Sequence, residues 1–158
     1  MVGNRRANPS GRKNLPPEER RQTILDAALA TFAKKGFANA RMEDIARAAG
    51  VGKGTVYLYF PDKQSLFKSL IGTNLSPLID EAARLLQETP LSPRDTLSAF
   101  YTLIENEVLN TRRVDLLRLM ITEMPAFPEI AAFYHDNLVR PGMAIVERLL
   151  RAAEARGE

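Results

Sequence analysis

At 158 residues the chain is long enough to bury one substantial core, or a small domain beside a larger one. Apolar residues make up 45%, which excludes a disordered chain, and the absence of cysteine excludes a disulfide framework or thiolate metal site and fits a reducing cytoplasm. The net charge of +3 is unevenly laid out: residues 1–70 hold 13 Lys and Arg against 6 Asp and Glu, the remainder 9 against 13, so the front half suits a polyanion.

The chain begins MVGNRRANPSGRKN, charged and without the apolar core of a secretory signal. No apolar run approaches the roughly 20 residues of a membrane span. Residues 1–16, with Arg5, Arg6, Arg12 and Lys13 among Asn, Pro, Ser and Gly, read as a flexible basic arm. Such an arm either follows phosphates and a minor groove or serves only solubility. The first helix is expected from Pro17 to Lys35. Pro17 suits a first turn, Glu18 and Glu19 complement the positive helix end, and Lys34 and Lys35 the negative one. Gly36 should stop it. Ile24, Ala28 and Phe32 form the inward stripe, flanked by Leu25 and Leu29, and Phe37 packs the next turn.

From Met42 to Phe60 the spacing predicts two short helices crossing at a glycine turn. Ile45, Ala46 and Ala49 share one face, Gly50 supplies the left-handed stop, Val51 plugs the turn, and Val56 and Phe60 face inward from the second helix. This is a helix-turn-helix pattern. Lys53, Thr55, Tyr57 and Tyr59 fall off the buried stripe, and a cation with hydroxyls suits phosphate oxygens and base edges in a major groove. The alternative for this spacing is a packed helical hairpin with no DNA role. GVGKGT is not a phosphate loop, because Gly54 follows Lys53 where Ser or Thr is required and Arg47 stands where the first glycine belongs.

A linker helix is expected from after Pro61-Asp62 to about Gln87, kinked or interrupted at Pro77. Ser92 should cap a helix starting at Pro93, with Phe100, Leu103, Ile104 and Val108 inward; Asn110-Thr111 reads as a turn. Leu116, Leu117, Leu119, Met120 and Ile121 predict a helix buried on several sides. Pro125 and Pro128 separate it from a segment ending near Ala155, which Pro141-Gly142 should kink or split. Met120, Met124, Phe127, Phe133, Tyr134 and Met143 are soft or aromatic, and suit either ordinary core or an adaptable apolar pocket. His135 reads as a solvated or core histidine, and Glu123 as a partner of Arg118 or of a cationic effector. With no cysteine, one histidine and no ligand cluster, no catalytic site, metal or cofactor is expected, and the chain does not read as an enzyme.

The stretch IARAAGVGKGTVYLYFPDKQSLF, with FAKKGF before it, resembles the DNA-binding domain of the TetR family of bacterial transcriptional regulators. RLMITEMPAFPEIAAFY is similar to the regulatory region of the AefR-like branch. The resemblance implies an all-α protein: a helix-turn-helix DNA-binding domain over residues 17–62 and a helical ligand-binding and dimerisation domain over 63–158, ending before the last two family helices. By position it implies that Lys53, Gly54, Thr55 and Tyr57 face DNA, and that Tyr59 and Lys63 meet phosphate. Where relatives carry a Thr or Ser pair this chain has Ala40 and Arg41, so Asn39 is expected to cap the second helix and Arg41 to contact DNA by charge. Gly52 replaces a common serine. Leu58 is expected to pack on a neighbouring helix, with a thymine methyl as the alternative. The implied function is a repressor of double-stranded DNA, binding an inverted repeat as a homodimer and released when a small apolar effector occupies the back half. The competing reading is an effector-binding or protein-interaction module with a vestigial reader. The pocket residues then expected are Met120, Met124, Phe127, Phe133, Tyr134 and Met143.

Overall fold

The computed structural model describes residues 15–88 and 92–157; apart from Leu15 and Pro16, the basic arm lies outside the described residues. Among the described residues the fold is all-α. Helix α1 spans Pro17–Asn39, with Pro17 and the carboxylates of Glu18 and Glu19 in its first turn. It buries Ile24, Leu25, Ala28, Leu29 and Phe32. Gly36 breaks the helical path at φ 75°, ψ 158°, a conformation essentially confined to glycine. One further turn follows, and it drives Phe37 into the core. The helix thus stops at Gly36 as the sequence predicts, and Phe37–Asn39 form a separate turn beyond it.

Helix α2 (Met42–Ala48) and α3 (Lys53–Tyr59) cross beside α1, and α4 (Lys63–Glu88) runs from them into the back half. Helix α4 passes through Pro77 without the interruption expected from the sequence. The ring removes a hydrogen bond to the Thr73 carbonyl, but Thr73 and Pro77 both lie on the exposed face, where water satisfies the freed oxygen.

Helix α5 (Pro93–Ile104) is capped as expected: Ser92 Oγ accepts the Asp95 N–H at 3.2 Å. A wide helical turn over Glu105–Leu109 and a turn at Asn110 lead into α6 (Arg113–Glu123). Helix α7 (Pro128–Tyr134), a second wide turn at His135–Val139 and α8 (Arg140–Arg156) form one continuous helical path. Pro141 does not split it. The Arg140 N–H reaches back five residues to the His135 carbonyl, and this widened turn accommodates the proline that follows.

One core joins the front and back halves across the 62/63 boundary. Phe32, Phe37 and Phe67 form an aromatic triangle with centroids 5.1–5.5 Å apart, and Phe127 meets Phe37 edge-on at 4.7 Å. Leu66, Leu70, Ile71 and Leu75 of α4 and Leu116 and Met120 of α6 complete it. Such edge-to-face pairs add about 0.5–1.5 kcal/mol each beyond area burial. Ile121 departs from its expected burial: it is 70% exposed, on the face of α6 turned away from α1 and α4. No helix of the described residues is long and apolar enough to cross a membrane.

Candidate nucleic-acid interface

The candidate interface is built around the α2–α3 turn. Asp44 Oδ2 accepts the Arg41 N–H at 3.3 Å, which begins α2 without a hydroxyl cap. Lys35 Nζ holds the same carboxylate at 2.8 Å, tying the end of α1 to α2. That hydrogen bond, together with Arg47 and the backbone, keeps Asp44 ionised below the usual carboxylate range. Asn39 does not cap α2 as expected: its amide nitrogen donates back to the Lys35 carbonyl at 3.3 Å. Gly50 adopts φ +66°, and Val51 N–H reaches the Ala46 carbonyl at 3.0 Å, which closes the turn. Ala46, 3% exposed, is small enough for the crossing, and Val56 and Phe60 anchor α3 in the core.

With Val56 and Phe60 inward, α3 turns Lys53, Gly54, Tyr57 and Leu58 to solvent. Tyr57 is 41% exposed. Leu58 is 82% exposed, so it does not pack on a neighbouring helix as expected. Thr55 and Tyr59 are half-buried at the edges of this face, and Tyr59 packs against the core. Arg41 is exposed at the start of α2. Lys53 Nζ lies 2.5 Å from Glu43 Oε1 and 5.8 Å from the Tyr57 ring centroid. The hydrogen bond lowers the Glu43 pKa and raises that of Lys53, so both are charged at neutral pH.

Lys63, expected at a phosphate, is engaged by the backbone at the end of α1 in this structure. Its Nζ donates to the carbonyls of Phe37 (2.6 Å), Ala38 (3.0 Å) and Ala40 (3.1 Å), and lies 4.6 Å from the Phe37 ring centroid. An ammonium has three protons, and all three close the end of α1. Burial lowers its pKa, opposed by the nearby Glu123 charge. Asp62 begins α4 by accepting the Ser65 N–H at 2.7 Å.

Five of the six residues expected to line a pocket belong to the main core or pack against it. Met120 is buried in the main core; Met124, Phe127, Phe133 and Tyr134 pack against that core; Met143 is 61% exposed. An apolar groove of about 380 Å³ lies between Ala82 and Leu85 of α4, Leu97 and Phe100 of α5, and Ile145, Leu149 and Ala153 of α8, with Arg94 among its lining residues. The signal for it was the i, i+3/i+4 spacing of those residues on amphipathic helices. Glu123 does not pair with Arg118, whose guanidinium lies 3.3 Å from Asp115; its carboxylate faces Gly36 instead. His135 is solvated beside Asp136.

The profile of the bacterial regulatory proteins of the TetR family matches residues 24–70, and that of the AefR-like transcriptional repressor C-terminal domain matches residues 95–158. The chain belongs to the TetR family. The HTH-type transcriptional activator FasR of Mycolicibacterium smegmatis is 32% identical over 108 residues, 66% of this chain and 47% of FasR. The regulator AcrR of Shigella flexneri is 30% identical over 115 residues, 72% of this chain and 54% of AcrR. This TetR-family chain thus spans about half the length of the curated relatives it matches. In fold it is similar to the transcriptional regulator FadR of Bacillus subtilis in complex with stearoyl-CoA (TM-score 0.68, 20% identity, covering 87% of this chain and 72% of FadR).

Proposed function

We propose that the protein is a sequence-specific DNA-binding transcriptional regulator, a repressor that sets α3 into the major groove of each half of an inverted repeat as a homodimer. The observation that carries this reading is the division of α3: Val56 and Phe60 lock it to the core, while Lys53, Gly54 and Tyr57 stand clear at one end of the molecule. Residues at the start of a recognition helix are those that reach base edges. Arg41, on the adjoining turn, supplies a phosphate contact, and Thr55 and Tyr59 flank the same face. Lys63 supports the α1–α2 corner from beneath rather than touching DNA. The front unit, residues 17–62, is the reader, and residues 63–158 form the regulatory part.

The effector binds the groove between α4, α5 and α8. Its walls are apolar, and Arg94 adds a cation, which suits an amphiphile with a long apolar tail and an anionic head. Helix α4 runs from Lys63 at the reader to Ala82 and Leu85 in the groove, a path of roughly 30 Å at 1.5 Å per residue. An occupant that favours one tilt of α4 shifts the population of reader positions, and DNA is released. The test is selection from a random duplex pool at two salt concentrations. An enriched inverted repeat supports the proposal in full. An enriched single half-site removes the dimer. Salt-sensitive retention with no enriched sequence leaves only a basic surface and refutes it.

A further inference from the structure

Glu43 presents a carboxylate on the face that the proposed function turns toward a polyanion. As a first-turn acid it favours the start of α2, but that does not require a cation from another helix, and its side chain is 44% exposed and that of its partner Lys53 59% exposed. Exposed ion pairs of this kind stabilise a protein by little. On a surface that bound only phosphates, the carboxylate would be unfavourable. On a surface that reads bases it has a use. The α2–α3 turn brings Glu43, in the first turn of α2, to within 2.5 Å of Lys53, the first residue of α3. One acceptor and one donor, side by side, are thus fixed on two different helices, and the Tyr57 ring 5.8 Å away adds a third wall to the ammonium. In the major groove a G·C pair displays the O6 and N7 acceptors of guanine beside the N4–H donor of cytosine.

We propose that Glu43 and Lys53 form one composite reader of a G·C pair: Lys53 Nζ donates to guanine O6 and N7, and a Glu43 carboxylate oxygen accepts from cytosine N4. The inference rests on the DNA-binding reading above. It has a consequence for salt dependence. The pair carries no net charge, so in the wild type it adds specificity without displacing a counterion. Removing Glu43 frees Lys53 to meet a phosphate.

The experiment selects duplexes from a random pool with the full chain as wild type, Glu43→Ala, Glu43→Gln and Lys53→Met, and then titrates the wild-type winner with every base pair at each position. The wild type is expected to fix a G·C pair in each half-site. In Glu43→Ala, discrimination at that pair should fall on the order of tenfold, as loss of one base contact implies, while binding to unselected DNA tightens and the slope of log K against log salt steepens by about one. Glu43→Gln keeps the shape of the side chain and guards against a folding defect. It should admit T·A for G·C, with adenine in the cytosine's place, because the amide then pairs with adenine N6 and N7 while Lys53 meets thymine O4. Adding Lys53→Met to Glu43→Ala should cost little discrimination beyond either change alone. A G·C preference that survives Glu43→Ala and Glu43→Gln intact, with affinity changed equally for all sequences, overturns the composite reader and leaves Glu43 a simple repulsive charge. A wild type that enriches no sequence overturns both this inference and the regulator reading.

Discussion

Replacing Gly36 with alanine tests how the corner beneath the reader is held. Gly36 sits at φ 75°, ψ 158°, where an L side chain costs about 1–3 kcal/mol of backbone strain. A Cβ there would also lie 2.8 Å from Glu123 Oε1. That atom is the end of a flexible side chain, so it moves aside at about 0.5–1.5 kcal/mol, the scale of an off-rotamer shift. The alanine restricts the unfolded chain and recovers about 0.4–1 kcal/mol. The net expectation is a loss of about 2–3 kcal/mol, or a fall in Tm on the order of 4–12 °C for a chain of this size. Urea unfolding followed by far-UV circular dichroism reads it directly, and there is no tryptophan to follow instead. Combining Gly36→Ala with Glu123→Ala should return only the contact part, about 1 kcal/mol. An unfolding free energy within about 0.5 kcal/mol of wild type, the range of an unremarkable surface change, would refute the claim that this glycine carries an otherwise inaccessible corner.

Lys63→Met should lose about 1–3 kcal/mol by leaving three carbonyls short of their charged donor, with no change in the salt slope of DNA binding. A slope shallower by about one would return Lys63 to the phosphates. Ser92→Ala should destabilise α5 by about 1 kcal/mol, measured by the same unfolding. The Lys35 hydrogen bond on Asp44 and the Ser65 backbone N–H on Asp62 hold both carboxyls below the ordinary aspartate range, so their stabilisation is present above that range and is lost as pH falls through the folded-state pKa; Asp44→Asn should flatten the acid side of the stability profile. Leu149→Arg places a charge in the apolar groove and should abolish binding of a long-chain acyl probe while the selected DNA sequence stays the same.

The parts of this structure written in local spacing were legible in the sequence. Gly50, Val51, Val56 and Phe60 set the α2–α3 turn within a dozen residues, and Ser92-Pro93 carries its own helix start. What depends on distant chain was not legible. Lys63 finds its three carbonyls 23 to 26 residues earlier, and nothing near Lys63 announces them. The edge-on packing of Phe127 against Phe37, ninety residues earlier, is likewise absent from local spacing. Leu58 and Ile121 are apolar yet exposed, because a helix has more apolar positions here than neighbours to cover them. Pro77 breaks nothing because its freed carbonyl opens to water. The same limit applied to the reader: Glu43 and Lys53 are ten apart in sequence, and only the fold of the turn makes them a pair.

The proposed function depends on the outward face of α3 reading DNA. Its most direct test is fluorescence anisotropy of the selected duplex against wild type and the Lys53→Ala/Tyr57→Ala variant over a range of salt. The variant is expected to lose the preference for the selected duplex over a scrambled one, on the order of a hundredfold if each residue makes one base contact, while remaining folded by circular dichroism. A variant that binds the selected duplex as tightly and as selectively as wild type would contradict it.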